Sequence, residues 1–83
     1  MRTTDPIGPL KKQLAQVLTA RLDGWSQELA ADLVGTDQPR MSDLRRNRLE
    51  RFSLGGLVRF VERAGGDVSV QVVWGRKNWI GPR

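Results

Sequence analysis

Gly35 constrains this chain more than any other residue. Leu29, Ala30, Leu33 and Val34 recur at helical intervals and stop at it, and a second short pattern begins three residues later. Asp37 is placed to cap the free amides of a new first turn, and Pro39 is tolerated only inside such a turn, so the second helix starts near Gln38. Glycine reaches the left-handed backbone conformation without the steric cost a Cβ imposes, which lets a chain leave one helix and enter the next within a few residues. Met41 and Leu44 give the second helix an inward side, while Gln38, Arg40, Ser42, Asp43, Arg45 and Arg46 cover the rest of its surface. Ser26 caps the first helix and puts Gln27 on its opening turn. Residues Ser26 to Asn47 therefore read as a helix-turn-helix with a polar, arginine-rich second helix.

The whole chain has 83 residues, room for one domain spanning 1–83 with its core in 7–74 and a flexible tail over 75–83. A chain of this size buries only about 60 to 65% of its unfolded surface, so help from a second copy is expected. Cysteine, histidine and tyrosine are all absent. Thiolate nucleophiles, imidazole bases, disulfides and the usual zinc ligands go with them. The remaining Ser, Lys and carboxylates form no recognisable catalytic constellation, so neither an enzyme nor a cofactor is expected. The formal charge is +5, which favours a polyanionic partner. Arg40, Arg45, Arg46, Arg48 and Arg51 against Asp43 and Glu50 concentrate a surplus of three positive charges in twelve residues. A charge run of this kind is more often a solvated face, but its place on and after a groove-sized helix points to DNA. No apolar stretch near 18 residues and no leader pattern occur, so a cytoplasmic protein is expected, with no membrane partner.

Two further helices complete a core. Ile7, Leu10, Leu14, Val17, Leu18 and Leu22 paint a stripe from about residue 7 to 22, ended by Asp23-Gly24. Trp25, just before the capping serine, is expected to pack back as a staple rather than to stack on a base. Ser53 caps a last helix that carries Leu54, Leu57, Val58 and Val61 and stops at Gly65-Gly66, with Phe52 just before it. Phe60, on the flank of that stripe, faces either the core or a partner.

From Asp67 to Trp74 the period changes, and Val68, Val70, Val72 and Trp74 alternate with their neighbours as on a strand with one apolar face. A lone strand has unpaired N–H and C=O groups on both edges. The same strand from a second copy would satisfy one edge in a two-stranded antiparallel ribbon across a two-fold axis. The alternatives are packing on its own helices with a wet edge, or pairing with the sheet of a partner protein. A ribbon would set two groove-reading helices roughly 34 Å apart, matching a palindromic site on double-stranded DNA.

Ser26-Gln27-Glu28, Ala30, Ala31, Gly35, Gln38 and Leu44 resemble the helix-turn-helix of phage-repressor-type (Xre) regulators. More narrowly, Asp37 through Leu44, then Phe52-Ser53-Leu54 and the Gly65-Gly66 stop, resemble the HigA-like branch, over about residues 7–74. Asn47-Arg48-Leu49 stands where many members have a glycine-containing turn. The resemblance implies a lambda-repressor-like bundle and a repressor of its own operon that binds a palindromic operator as a homodimer. It also implies an antitoxin role beside a RelE-like ribonuclease toxin. A module that mainly covers such a toxin, or a phage or host regulator without one, are the competing readings.

Each candidate residue has a chemical reason. The Gln38 amide both donates and accepts, which suits the N6 and N7 edge of adenine, with Ser42 one turn on and Arg40 able to reach guanine or a phosphate. Asp43 either accepts from a cytosine amino group or holds Arg40 and Arg46 in place. Gln27, Arg45, Arg46 and Arg48 are assigned to phosphates. In the tail, Trp79 and Ile80 are candidates for a toxin contact, a DNA contact, or packing beside Trp74. The expected architecture is mainly α, four to five helices with one C-terminal strand pairing across a dimer.

Overall fold

Each of the last three helices starts where a short polar side chain takes the place of a missing backbone acceptor. Ser26 Oγ accepts from the Leu29 amide at 3.1 Å, Asp37 Oδ1 from the Arg40 amide at 2.8 Å, and Ser53 Oγ from the Gly56 amide at 2.9 Å. In the computed structural model, which describes residues 6–74, the elements are α1 (Ile7–Arg21), α2 (Gln27–Val34), α3 (Gln38–Arg45) and α4 (Leu54–Arg63). These are the four principal helices that the sequence predicts, within a residue or two at each end.

Three helix ends share one device. Beyond α2, Gly35 lies at φ 80° and the Thr36 amide donates back to Ala31 O at 2.9 Å. Beyond α3, Asn47 lies at φ 62° and Arg48 donates to Asp43 O at 2.8 Å. Beyond α4, Gly65 lies at φ 95° and Gly66 donates to Val61 O at 2.9 Å. This is the left-handed stop that closes a helix by satisfying its last carbonyls. Asn47 thus does what glycine does elsewhere, because asparagine tolerates the left-handed region better than other residues with a Cβ.

Arginines then tie the ends of α1, α2 and α4 to another helix. Arg45 on α3 donates from Nη2 to Leu22 O at 3.2 Å and Trp25 O at 3.1 Å, beyond α1. Arg21 on α1 donates from Nε to Ala64 O at 3.3 Å, beyond α4. Arg63 on α4 donates from Nη1 to Val34 O at 3.2 Å, at the end of α2. A cation at a helix C-terminus meets both unsatisfied carbonyls and the negative end of the helix dipole. Three of the basic residues therefore hold the bundle together.

The core is a single cluster in which Leu18, Leu22, Val34, Met41, Leu44 and Leu57 are fully buried, with Leu49, Phe52, Val61 and Ala64 around them. Among the described residues no polar or charged side chain is buried. α1 packs against α4 and α3, and α2 against α3 and α4, so the pair α2–α3 is backed by the other two helices. Phe60 settles on the core side, its ring edge-on to Phe52 with centroids 6.1 Å apart.

Several apolar expectations need correction. The buried stripe of α1 runs through Ala15, Leu18 and Leu22, which rotates Val17 out to 60% exposure and leaves Ile7 and Leu10 exposed. A small residue, Ala15, takes the close contact that the larger side chains suggested for themselves. Leu29 is likewise exposed, because Ala30, Ala31 and Val34 form the inner face of α2. Trp25 is 43% exposed and lies outside the core cluster, its backbone rather than its ring being held, by Arg45.

The strand predicted for Asp67 to Trp74 does not form within the single chain, whose residues 66–74 take no regular secondary structure. Val68 packs on the core, while Val70, Val72, Val73 and Trp74 are exposed, Trp74 at 79%. Packing of the whole segment on its own helices is thus not what the chain does. A ladder needs a second strand, and none is present among the described residues. Trp79, Ile80 and the rest of the expected tail lie outside the described residues.

Gly35→Ala is expected to lower stability by about 1 to 2 kcal/mol. The left-handed backbone disfavours any Cβ, and the added methyl would collide with the Arg63 guanidinium and loosen its bond to Val34. Thermal unfolding measures this directly. Arg63→Ala combined with Gly35→Ala should cost less than the sum of the single changes, since both act on the same contact.

Candidate nucleic-acid interface

α2 and α3 are separated by three residues, Gly35, Thr36 and Asp37. Met41 and Leu44 anchor α3 inward. At about 100° per residue, the positions pointing most directly away from these two anchors are Pro39 and Arg46. Ser42 and Asp43 lie on either side of that line, with Gln38 on the flank beyond Ser42 and Arg40 on the flank beyond Asp43. Gln38, Arg40 and Arg46 are exposed and Ser42 and Asp43 half-buried. No large apolar side chain interrupts this surface, which is the condition for laying a helix against polar base edges.

Arg40 does not project freely from the centre of this face. Its guanidinium lies over the Phe52 ring, 5.5 Å from the centroid, within the range of a cation–π contact. That contact holds the charge on the side of α3 facing the start of α4. Asp43 forms no ion pair with Arg40 or Arg46 among the described residues; its backbone carbonyl accepts from the Arg46 and Arg48 amides at 3.2 and 2.8 Å. The carboxylate keeps its acceptor capacity.

Arg45 and Gln27, both assigned to phosphates by sequence, are brought together. Arg45 Nη1 donates to Gln27 Oε1 at 2.8 Å, besides the two carbonyl bonds of Nη2. Arg45 thereby fixes the first turn of α2 relative to α3, and the Gln27 amide nitrogen remains as a donor. Arg46 and Arg48 are exposed on the stop that follows α3, where the left-handed Asn47 turns the chain. The sequence reading missed the bracing roles of Arg21, Arg45 and Arg63. It also missed Phe52 as the seat of Arg40, because partners so far apart in the chain leave no local pattern. The left-handed role of Asn47 did have a signal, an asparagine just past a helix end.

Two short helices set by a capped, left-handed turn and backed by two others, with a polar and basic outer helix, define a helix-turn-helix protein. Residues 4–73 match the family model described as a helix-turn-helix domain, and the chain belongs to that family. A solved structure designated an XRE family transcriptional regulator is 30% identical and superimposes with a TM-score of 0.79, over 93% of this chain and 89% of that one. The helix-turn-helix is thus of the XRE type. No curated protein matches the sequence. Among the described residues no helix is long and apolar enough to cross a membrane.

Proposed function

We propose that this protein is a transcriptional repressor that lays α3 in the major groove of double-stranded DNA and binds a palindromic operator as a homodimer. The observation that carries this reading is the outer face of α3. Asp43, Ser42 and Arg46 lie together there with Gln38 at the opening turn, free of large apolar side chains, on a helix anchored from within by Met41 and Leu44. Gln38 reads adenine, Ser42 a neighbouring edge, and Asp43 a cytosine amino group. Arg40, held by Phe52, reaches guanine or a phosphate from the flank. Arg46, Arg48 and the Gln27 amide position the domain on phosphates. Arg45 holds Gln27 in place and offers a phosphate only its remaining N–H donors.

The two-fold comes from Val68, Val70, Val72 and Trp74, pairing as antiparallel strands between two copies. Three of these side chains stand in water in the single chain, an arrangement that a second copy would relieve. The finer placement is an antitoxin that represses its own operon, beside a RelE-like toxin. It rests on the likeness of Asp37 through Leu44 and Phe52-Ser53-Leu54 to the HigA-like branch. An adjacent gene for a small ribonuclease toxin would support it, and a lone gene would leave a plain regulator.

Base readers and phosphate contacts separate by mutation. Asp43→Ala is expected to lower discrimination between operator variants at one base pair by about 1 to 3 kcal/mol, leaving nonspecific binding intact. Arg46→Ala is expected to weaken binding on all sequences alike and to reduce the slope of log K against log salt by about 1. Competition titrations at several salt concentrations measure both. The reverse pattern would exchange the two roles.

A further inference from the structure

A shallow cleft of about 170 Å³ opens beside the foot of the C-terminal segment, lined by Val17, Leu18, Arg21, Val61, Ala64 and Gly66. Two exposed apolar residues have no use in the single chain: Val17 at 60% on the cleft wall, and Trp74 at 79% at the far end of the segment. We infer that in the homodimer Trp74 of each copy seats in this cleft of the other copy.

The inference rests on the proposed ribbon and follows from its register. Opposite residues of an antiparallel pair share a face, so keeping Val68, Val70, Val72 and Trp74 on one continuous face requires pairing about a residue, not between two. The apolar set is symmetric about Gln71. Pairing there puts Val70 opposite Val72, and Val68 opposite Trp74. Val68 is the one member of the set that already packs on its own core. The incoming Trp74 therefore arrives where the segment leaves α4, two residues beyond Gly66 on the cleft wall. The cleft offers the exposed Val17 to the ring, with the buried Leu18, Val61 and Ala64 forming the floor behind it. Arg21, fixed by its bond to Ala64 O, stands at the rim for the ring face. Gly66 admits no Cβ without meeting Val61, which keeps this part of the wall tight. Each copy thus contributes one indole and receives one, so the contact closes as a dimer and does not propagate.

The chain lacks cysteine, which makes cross-linking specific. Val17→Cys and Trp74→Cys are prepared as separate full-length proteins of different tag length, mixed, and treated with a short bis-maleimide. A parallel sedimentation experiment compares the wild type with Val17→Asp, whose site is exposed in the single chain. The expected results are a cross-linked species containing both tags and a dimer weakened about tenfold or more by the buried charge. A wild-type dimer with no mixed cross-link and no effect of Val17→Asp would overturn the Trp74 seat while leaving the DNA reading intact. A wild type that stays monomeric at all concentrations would overturn the seat and the ribbon together.

Discussion

Leu44→Ala should lower the unfolding free energy by about 3 kcal/mol and the melting temperature by roughly 12 °C or more. Leu44 is fully buried at the junction of α3 with the rest of the bundle. Removing its three outer carbons loses their transfer free energy and leaves a cavity in the buried cluster to which it belongs. A domain of this size has on the order of 5 kcal/mol in total. Most of the stability margin would go, and α3 would be the first element to lose its fixed orientation. Leu29→Ala is the control: its side chain is exposed, and the change should be within about 0.5 kcal/mol. Both are measured by thermal denaturation at one protein concentration, since any dimer links stability to concentration. Equal effects of the two changes would mean that the inner side of α3 is misplaced.

The double change Val70→Asp, Val72→Asp should leave the helical content of each chain unaltered and lower operator affinity by about 100-fold or more. Both valines are exposed in the single chain, so the domain loses nothing by the substitution. In the ribbon the pairing about Gln71 places each aspartate directly opposite one from the other copy, and like charges facing across a strand pair oppose association. Each domain would then bind its half-site alone, without the second contact that a two-fold provides. Circular dichroism, sedimentation and operator titration together check the three parts. Operator affinity that survives loss of the dimer would show that one copy suffices.

The helices were legible because their signals are local. Ser26, Asp37 and Ser53 are followed by amides that they cap, and Gly35 and Gly65 occupy left-handed stops. The inward positions of α3 were legible for the same reason, since Met41 and Leu44 are the only apolar side chains on a polar helix apart from Pro39. On α1 and α2 apolar residues outnumber the buried positions. Periodicity therefore assigned Val17 and Leu29 to the core, where Ala15 and Ala31 pack instead. The arginines were the hardest to sort. Composition weighs Arg45 and Arg46 alike, yet one is turned back on Leu22, Trp25 and Gln27 while its neighbour faces water. The difference of about 100° between adjacent helix positions decides it, together with carbonyls some twenty residues distant in sequence. The C-terminal strand was read from alternation alone, and a ladder is a property of two strands.

The most direct measurement is the affinity of the purified protein for its own promoter fragment and for a scrambled fragment of equal length, at about 150 mM salt, where nonspecific binding is already weak. Preference for the promoter by about 1000-fold or more is expected of a sequence-reading dimer. Equal weak binding to both fragments would contradict autorepression and leave α3 as a basic surface without a code.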